Sequence, residues 1–259
     1  MRVALGQIVG TPGNVMANLA LMKRLAADAA RQGGHLLLLP ELFLSGYNIG
    51  AGVQRLAEPL DGPSAGAACD IAAEAGIAIA FGYPEREPEG VYNSAAVIDR
   101  SGRIVANYRK THLWGPYERA QFLPGQGSEV FDLDGIRFGF MICYDIDFPE
   151  LARGLALAGA DAIIALSATT APYPVVPRHL IPARAYENRL FVFFADRAGE
   201  ERGLAYAGES CIAAPDGSIV ASCGQDEALV VGIADFEHYA PFRRDHRFGG
   251  DRRPELYRT

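Results

Sequence analysis

Short, unbroken apolar runs constrain the fold of this chain more than any other feature. The runs 36–39 and 190–195 contain no polar position, so strands built from them meet water on neither face. Such strands belong to sheets covered on both sides. Between the runs the pattern changes period. Apolar residues recur at Val15, Leu19, Met22, Leu25 and Ala29, in steps of 4, 3, 3 and 4. These mark one face of an amphipathic helix over 15–30, stopped by Gly33-Gly34.

The rest of the chain keeps to this alternation. Strands are expected at 2–8, 36–40 and 77–83, with a second helix at 64–75 stopped by Gly76. The middle reads as hairpins, 91–99 with 103–108 around Ser101-Gly102, and 130–133 with 136–143 around Asp134-Gly135. Pro149 suits the first turn of a helix running to Gly159. Then follow a strand at 162–167, a helix at 178–188, a strand at 191–196, a hairpin of 210–214 with 218–221, and a strand at 229–234. No linker or charge block divides the sequence, so it reads as one α/β domain over 1–259, a mixed sheet system with helices outside. The tail 235–259 carries Arg243, Arg244, Arg247, Arg252, Arg253 and Arg258 with almost no apolar period. It reads as a surface segment contacting a partner subunit.

Charge narrows the function. Lys plus Arg number 24 and Asp plus Glu 31, a net charge of −7. Without a basic run, that balance argues against nucleic acid, whose binding rests on neutralising phosphates, and against an anionic membrane surface. The longest apolar runs fall far short of the ~18 residues of a membrane span. Arg2 and Gln7 interrupt the first apolar stretch, which is a strand and not a signal peptide. The expectation is a cytoplasmic protein acting on a small molecule. The four cysteines, Cys69, Cys143, Cys211 and Cys223, form no C-x-x-C pair, and zinc is not suggested. Cys211 and Cys223 flank the Asp216-Gly217 turn one residue out of register, so they face opposite sides of the hairpin. The five histidines, His35, His112, His179, His238 and His246, have no metal-ligand spacing; His112 reads as a structural hydrogen-bonding residue.

Three polar residues stand at the ends of apolar strands, where α/β proteins present reactive groups. Glu41 follows 36–40, Lys110 follows the 103–108 strand, and Cys143 ends 136–143; Glu118 lies in the loop after Lys110. A thiol is a weak nucleophile until ionised. A carboxylate can take its proton and a lysine can stabilise a developing oxyanion. Spacing alone leaves other roles open: Cys143 as packing, Glu41 as a helix cap, Lys110 as a solvated charge.

Three segments carry a resemblance. Pro40-Glu41-Leu42, Tyr108-Arg109-Lys110-Thr111-His112-Leu113 and Ile142-Cys143-Tyr144-Asp145 resemble, in order, the signature segments of the nitrilase, or carbon–nitrogen hydrolase, superfamily. Pro182-Ala183-Arg184-Ala185-Tyr186-Glu187-Asn188 resembles its following helix. The resemblance implies a four-layer α-β-β-α sandwich that pairs into a homodimer or higher homo-oligomer. It implies Cys143 as nucleophile, Glu41 as general base, Lys110 as oxyanion stabiliser, and Glu118 as the second glutamate that orients substrate and supports the lysine. The backbone N–H of Tyr144 would complete the oxyanion site, with Tyr47 and Thr169 as further substrate-binding positions. No metal or organic cofactor is implied. Within the superfamily, residues 41–50, 82–86 and 143–150 resemble the 5-aminopentanamidase-like aliphatic amidases. That implies hydrolysis of a small linear amide, 5-aminopentanamide foremost. Nitriles or N-carbamoyl amines are the alternative substrates, and a non-catalytic interaction module is the remote one.

Overall fold

The computed structural model describes residues 1–245 and 248–257. In chain order its first half forms β1 (Arg2–Gln7), α1 (Val15–Arg31), β2 (Leu36–Leu38), α2 (Gly52–Leu56), α3 (Pro63–Ala75), β3 (Ala78–Glu87), β4 (Gly90–Ile98), β5 (Ile104–Arg109) and α4 (Gly115–Arg119). The second half forms β6 (Phe131–Leu133), β7 (Ile136–Ile142), α5 (Pro149–Leu157), β8 (Ala162–Leu166), α6 (Ile181–Asn188) and β9 (Phe191–Ala195). It continues with β10 (Glu200–Glu201), β11 (Leu204–Ala205), β12 (Cys211–Ala213), β13 (Ile219–Ser222), β14 (Ala228–Ile233) and α7 (Phe236–Asp245).

Two six-stranded sheets result, ordered β14-β1-β2-β3-β4-β5 and β13-β12-β9-β8-β7-β6. In each, three central strands run parallel, β1-β2-β3 and β7-β8-β9, and antiparallel strands extend both edges. The sheets face each other, with α1 and α3 covering the first and α5 and α6 the second. This is the α-β-β-α sandwich expected from the resemblance.

Side-chain alternation explains the apolar runs. Leu36 and Leu38 enter the core between the sheets with Phe138, Phe140 and Phe193, while Leu37 and Leu39 pack under the helices against Met22 and Ala72. On the second sheet Ile164 and Leu166 point inward, and Ile163 and Ala165 meet Ala152 and Ala185 outside. Both faces of β2, β8 and β9 are therefore buried, which is why these three strands contain no polar residue. Cys211 pairs with Ser222 across the late hairpin. Cys211 lies in the outer helix-side layer and Cys223 in the central core, on the opposite faces expected.

Elements differ from the sequence reading where long-range contacts act. β3 continues past Pro84 to Glu87, because β4 pairs with it from Ile79↔Ile98 to Glu87↔Gly90. The proline costs no bond to β4, because its carbonyl, and with it the side its missing N–H would face, points to the segment carrying Glu58, whose N–H donates to Pro84 O at 3.3 Å. The helix expected from 178 begins as a wider turn, Val176–Leu180, ahead of α6. The start of the tail is not a loose surface segment, because α7 seats Phe236 and Tyr239 on Phe191, with ring centroids 4.8 and 5.4 Å apart. Arg243 bonds Asp161 at 2.7 Å. Two apolar residues one turn apart suffice here because Phe191 receives both, and so short a pattern has no readable period. His246, Arg247 and Arg258 lie outside the described residues. No described helix is long and apolar enough to cross a membrane.

Phe193 is fully buried between the sheets, so Phe193→Ala is expected to lower stability by about 3–5 kcal/mol. Urea unfolding followed by circular dichroism measures it; a loss below about 1 kcal/mol would contradict this account of the core.

Candidate active site

The carboxyl ends of the parallel strands of both sheets lie along one edge of the sandwich, and the sequence-predicted residues gather there. Glu41 lies in the turn after β2, Lys110 directly after β5, Cys143 directly after β7, and Glu118 in α4. Close backbone approaches make this possible. A Cβ on Gly82 would sit 2.3 Å from the Leu42 nitrogen and 2.7 Å from the Pro40 oxygen, so only glycine lets β3 run against the Glu41 turn. A Cβ on Gly125 would lie 2.1 Å from the Arg109 oxygen, and the Gly125 N–H donates to Lys110 O at 2.8 Å.

Lys110 stands at the centre. Its Nζ donates to Glu41 Oε1 and to Glu118 Oε1, each at 2.7 Å, and all three side chains are fully buried. Asn93 Nδ2 donates to the same Glu41 oxygen at 2.7 Å. Glu41 Oε2 is buried with no hydrogen-bond partner among the described residues. Glu118 accepts the Tyr47 hydroxyl at 2.8 Å on Oε1 and the Trp114 N–H at 2.8 Å on Oε2.

Two carboxylates share one ammonium, and that imbalance sets the protonation states. Burial pushes the Glu41 carboxyl up, with the charge of Glu118 adding to it and Lys110 opposing. Lys110 is held well above the usual ammonium range, because the two glutamates outweigh the burial that acts to lower it. The Cys143 thiol is driven up by burial first and then by the negative charge of Glu41, with Lys110 pulling the other way. Burial thus favours the neutral thiol, which would need a base in order to serve as a nucleophile.

Cys143 has φ +47° and opens a 3₁₀ turn over Cys143–Asp147. Asp145 anchors that turn. Its carboxylate accepts the Ile142 N–H at 2.9 Å, the His112 N–H at 2.9 Å and the Tyr108 hydroxyl at 2.7 Å. His112 Nδ1 lies 2.8 Å from the same group, and the ring stacks on Phe148 with centroids 3.7 Å apart. His112 is thus structural, as the sequence indicated.

Arg197, just after β9, was not foreseen. Its buried guanidinium crosses to the other sheet and donates to Glu41 O at 3.0 Å, Leu42 O at 2.7 Å and Val9 O at 2.6 Å. It thereby clamps a turn in which Leu42 has φ +49°, with Glu201 as counter-charge at 3.8 Å. The signal was present: Asp196-Arg197 ends an apolar strand, as Glu41 and Cys143 do.

A cavity of about 240 Å³ opens over Cys143, lined by Tyr47, Trp114, Tyr144, Thr169 and Val176 among others. Tyr47, Tyr144 and Thr169 are therefore brought together there. The Thr169 N–H donates to Asp196 at 2.7 Å, which fixes that wall. Among the described residues no group of three His, Cys, Asp or Glu side chains is arranged to hold a metal.

Residues 2–244 match the sequence model of the carbon–nitrogen hydrolase family. The chain is 48% identical over 260 residues to "Hydrolase in pqqF 5'region" of Pseudomonas protegens, covering 99% of this chain and 90% of that one. It is 36% identical to an (R)-stereoselective amidase from Pseudomonas sp., covering 98% and 92%. Among solved structures, an amidase from Nesterenkonia sp. superposes with a TM-score of 0.85 at 33% identity, covering 99% of this chain and 94% of that one. A variant of the amidase from Nesterenkonia sp. AN1 is solved in complex with butyramide, and another carries acrylamide added at its active-site cysteine. The chain belongs to the carbon–nitrogen hydrolase family and is a hydrolase acting on carbon–nitrogen bonds.

Removing the clamp takes a donor from three carbonyls, of which Leu42 O keeps the Gly46 N–H, and takes the counter-charge from buried Glu201. Arg197→Met is expected to lower stability by about 3–5 kcal/mol, read as a shift in the urea midpoint; an unchanged midpoint would remove Arg197 from this role.

Proposed function

We propose that the protein is a cysteine-dependent amidase that hydrolyses a small linear aliphatic amide to carboxylate and ammonia through a thioester acyl-enzyme. The observation that carries this reading is the unpartnered Glu41 Oε2, buried beside a lysine whose charge is already shared. Glu41 is near enough to Cys143 for its charge to raise the thiol.

In this mechanism Cys143 Sγ attacks the amide carbonyl carbon while Glu41 Oε2 accepts the thiol proton. The carbonyl π electrons move to oxygen, and Lys110 Nζ with the Tyr144 backbone N–H donates to the oxyanion. Collapse breaks the C–N bond, and Glu41 passes its proton to the departing ammonia. Water then attacks the thioester with Glu41 again as base, and the C–S bond breaks to return the thiol. Glu118 holds Lys110 in place and orients the substrate amide; Tyr47 secures Glu118, and Thr169 lines the acyl pocket.

The cavity volume of about 240 Å³ lies below the range of about 300–1,000 Å³ typical of drug-sized ligands, which supports a short substrate. Its largely apolar lining supports an aliphatic acyl chain, with 5-aminopentanamide the leading candidate. The amidases among the relatives, and the butyramide bound by one of them, support the same class. We further place the enzyme in the cytoplasm as a single-domain homodimer, with residues 235–259 contacting the partner subunit. Exposed Leu157, Ile219 and Val220 supply apolar surface for such a contact.

Ammonia release from amides of graded chain length tests the activity; no turnover of any linear amide would refute it, and accompanying carbon dioxide would mark an N-carbamoyl substrate instead. Cys143→Ala is expected to abolish turnover with an unchanged circular dichroism spectrum. Glu41→Gln is expected to lower kcat by about 10²–10⁴-fold. An acyl adduct trapped on Cys69, Cys211 or Cys223 would overturn the assignment.

The pH profile gives a separate check. Glu41 must be ionised to act as base, and burial raises its pKa. Activity on a neutral amide should therefore fall on acidification at a pH above the ordinary glutamate value of about 4.3. An acid limb of kcat/KM at or below that value would contradict the assignment of Glu41.

A further inference from the structure

We propose that the carboxylate of Asp147 is a subsite for an ammonium group at the far end of the substrate, which makes the enzyme selective for ω-amino amides. The inference builds on the amidase reading above and names the group that recognises the end of the acyl chain away from the scissile bond.

Asp147 lines the cavity over Cys143, and apart from the Glu41, Lys110 and Glu118 group beneath it no other Asp, Glu, Lys or Arg among the described residues does so. Its placement follows from the 3₁₀ turn Cys143–Asp147. With a rise of about 2.0 Å per residue, the four steps from Cys143 to Asp147 span about 8 Å. An extended four-methylene chain separates a carbonyl carbon from an ammonium nitrogen by about 6 Å, from bond lengths of about 1.5 Å. A hydrogen bond of about 2.8 Å to a carboxylate completes the reach. The carbonyl over Cys143 and the ammonium at Asp147 are thus compatible with one extended ligand.

The carboxylate is available. Among the described residues no cation lies within salt-bridge distance of it. The neighbouring guanidinium of Arg184 is engaged elsewhere, donating to Ile146 O at 2.9 Å, to the Asp147 backbone oxygen at 3.4 Å and to the Glu187 carboxylate at 3.0 Å. Asp147 stands exposed at the rim of the cavity; the part of it that is buried raises its carboxyl, and Arg184 opposes this. Aromatic rings share the wall: Tyr144 stands beside Cys143, and Trp114 meets Tyr173 edge to face with centroids 6.4 Å apart. A carboxylate with aromatic faces is a chemistry that holds a primary ammonium and repels a carboxylate-bearing amide.

The test compares 5-aminopentanamide with pentanamide, equal in length and different in charge, on the wild-type enzyme and on Asp147→Asn and Asp147→Lys. The wild type should favour the amino amide, and the ratio of the two kcat/KM values should fall by about 2- to 5-fold in Asp147→Asn, through KM. Asp147→Lys should shift preference toward an amide ending in a carboxylate. A ratio unchanged by both variants would overturn the proposal. If no amide is turned over, the amidase reading fails while the subsite is still decided by ligand protection. Butylammonium, and not butanol, should slow iodoacetamide alkylation of Cys143 in the wild type, and Asp147→Asn should abolish that protection. Equal protection by both compounds would overturn it.

Discussion

Everything at this site depends on a single ammonium buried between two carboxylates. Taking charged groups out of water costs several kcal/mol each, and the attraction between them offsets this only with good geometry and satisfied hydrogen bonds. The protein meets that condition on the Glu118 side, where Lys110, Tyr47 and the Trp114 N–H occupy both oxygens. On the Glu41 side it does so for one oxygen and leaves the other without a partner. The asymmetry separates two chemically identical residues. Glu118 is held in place by its contacts, and Glu41 retains a free lone pair and a raised affinity for protons.

Such a cluster of charged groups needs rigid surroundings, and the sandwich supplies them from both sheets. Glu41 and Lys110 come from the first sheet and Cys143 from the second, so their relative position is set by the packing between the layers. That packing is the Leu, Ile and Phe core around Leu38, Ile164 and Phe193. Two polar contacts and one glycine refine it. Arg197 reaches from the second sheet to clamp the Glu41 turn, Asp145 ties the Cys143 turn to the Tyr108–His112 segment, and Gly82 admits the close contact between β3 and residues 40–42.

A neutral resting thiol has a functional logic. A permanent thiolate would react with any electrophile entering the pocket, whereas in the proposed mechanism the thiol beside Glu41 is ionised only as the carbonyl arrives. The small cavity above it restricts what can arrive, and the proposed role of Asp147 would add a second criterion.

Much of this was legible from local sequence. Runs such as 36–39 and 190–195 reveal strands buried on both faces, because burial on two sides admits no polar residue. The glycine and aspartate turns reveal hairpins, and Glu41, Lys110 and Cys143 stand out because each sits within a short, recognisable segment. What tertiary structure alone decided involves partners distant in sequence. Arg197 and the Glu41 carbonyl are 156 residues apart, and nothing in either segment announces the other. The extension of β3 past Pro84 required the neighbouring Glu58 carbonyl and amide, and the helix α7 required Phe191. Protonation states belong to this second class as well. They depend on how deeply each group is buried and on how many charges share the space, and the order of residues along the chain does not contain that information.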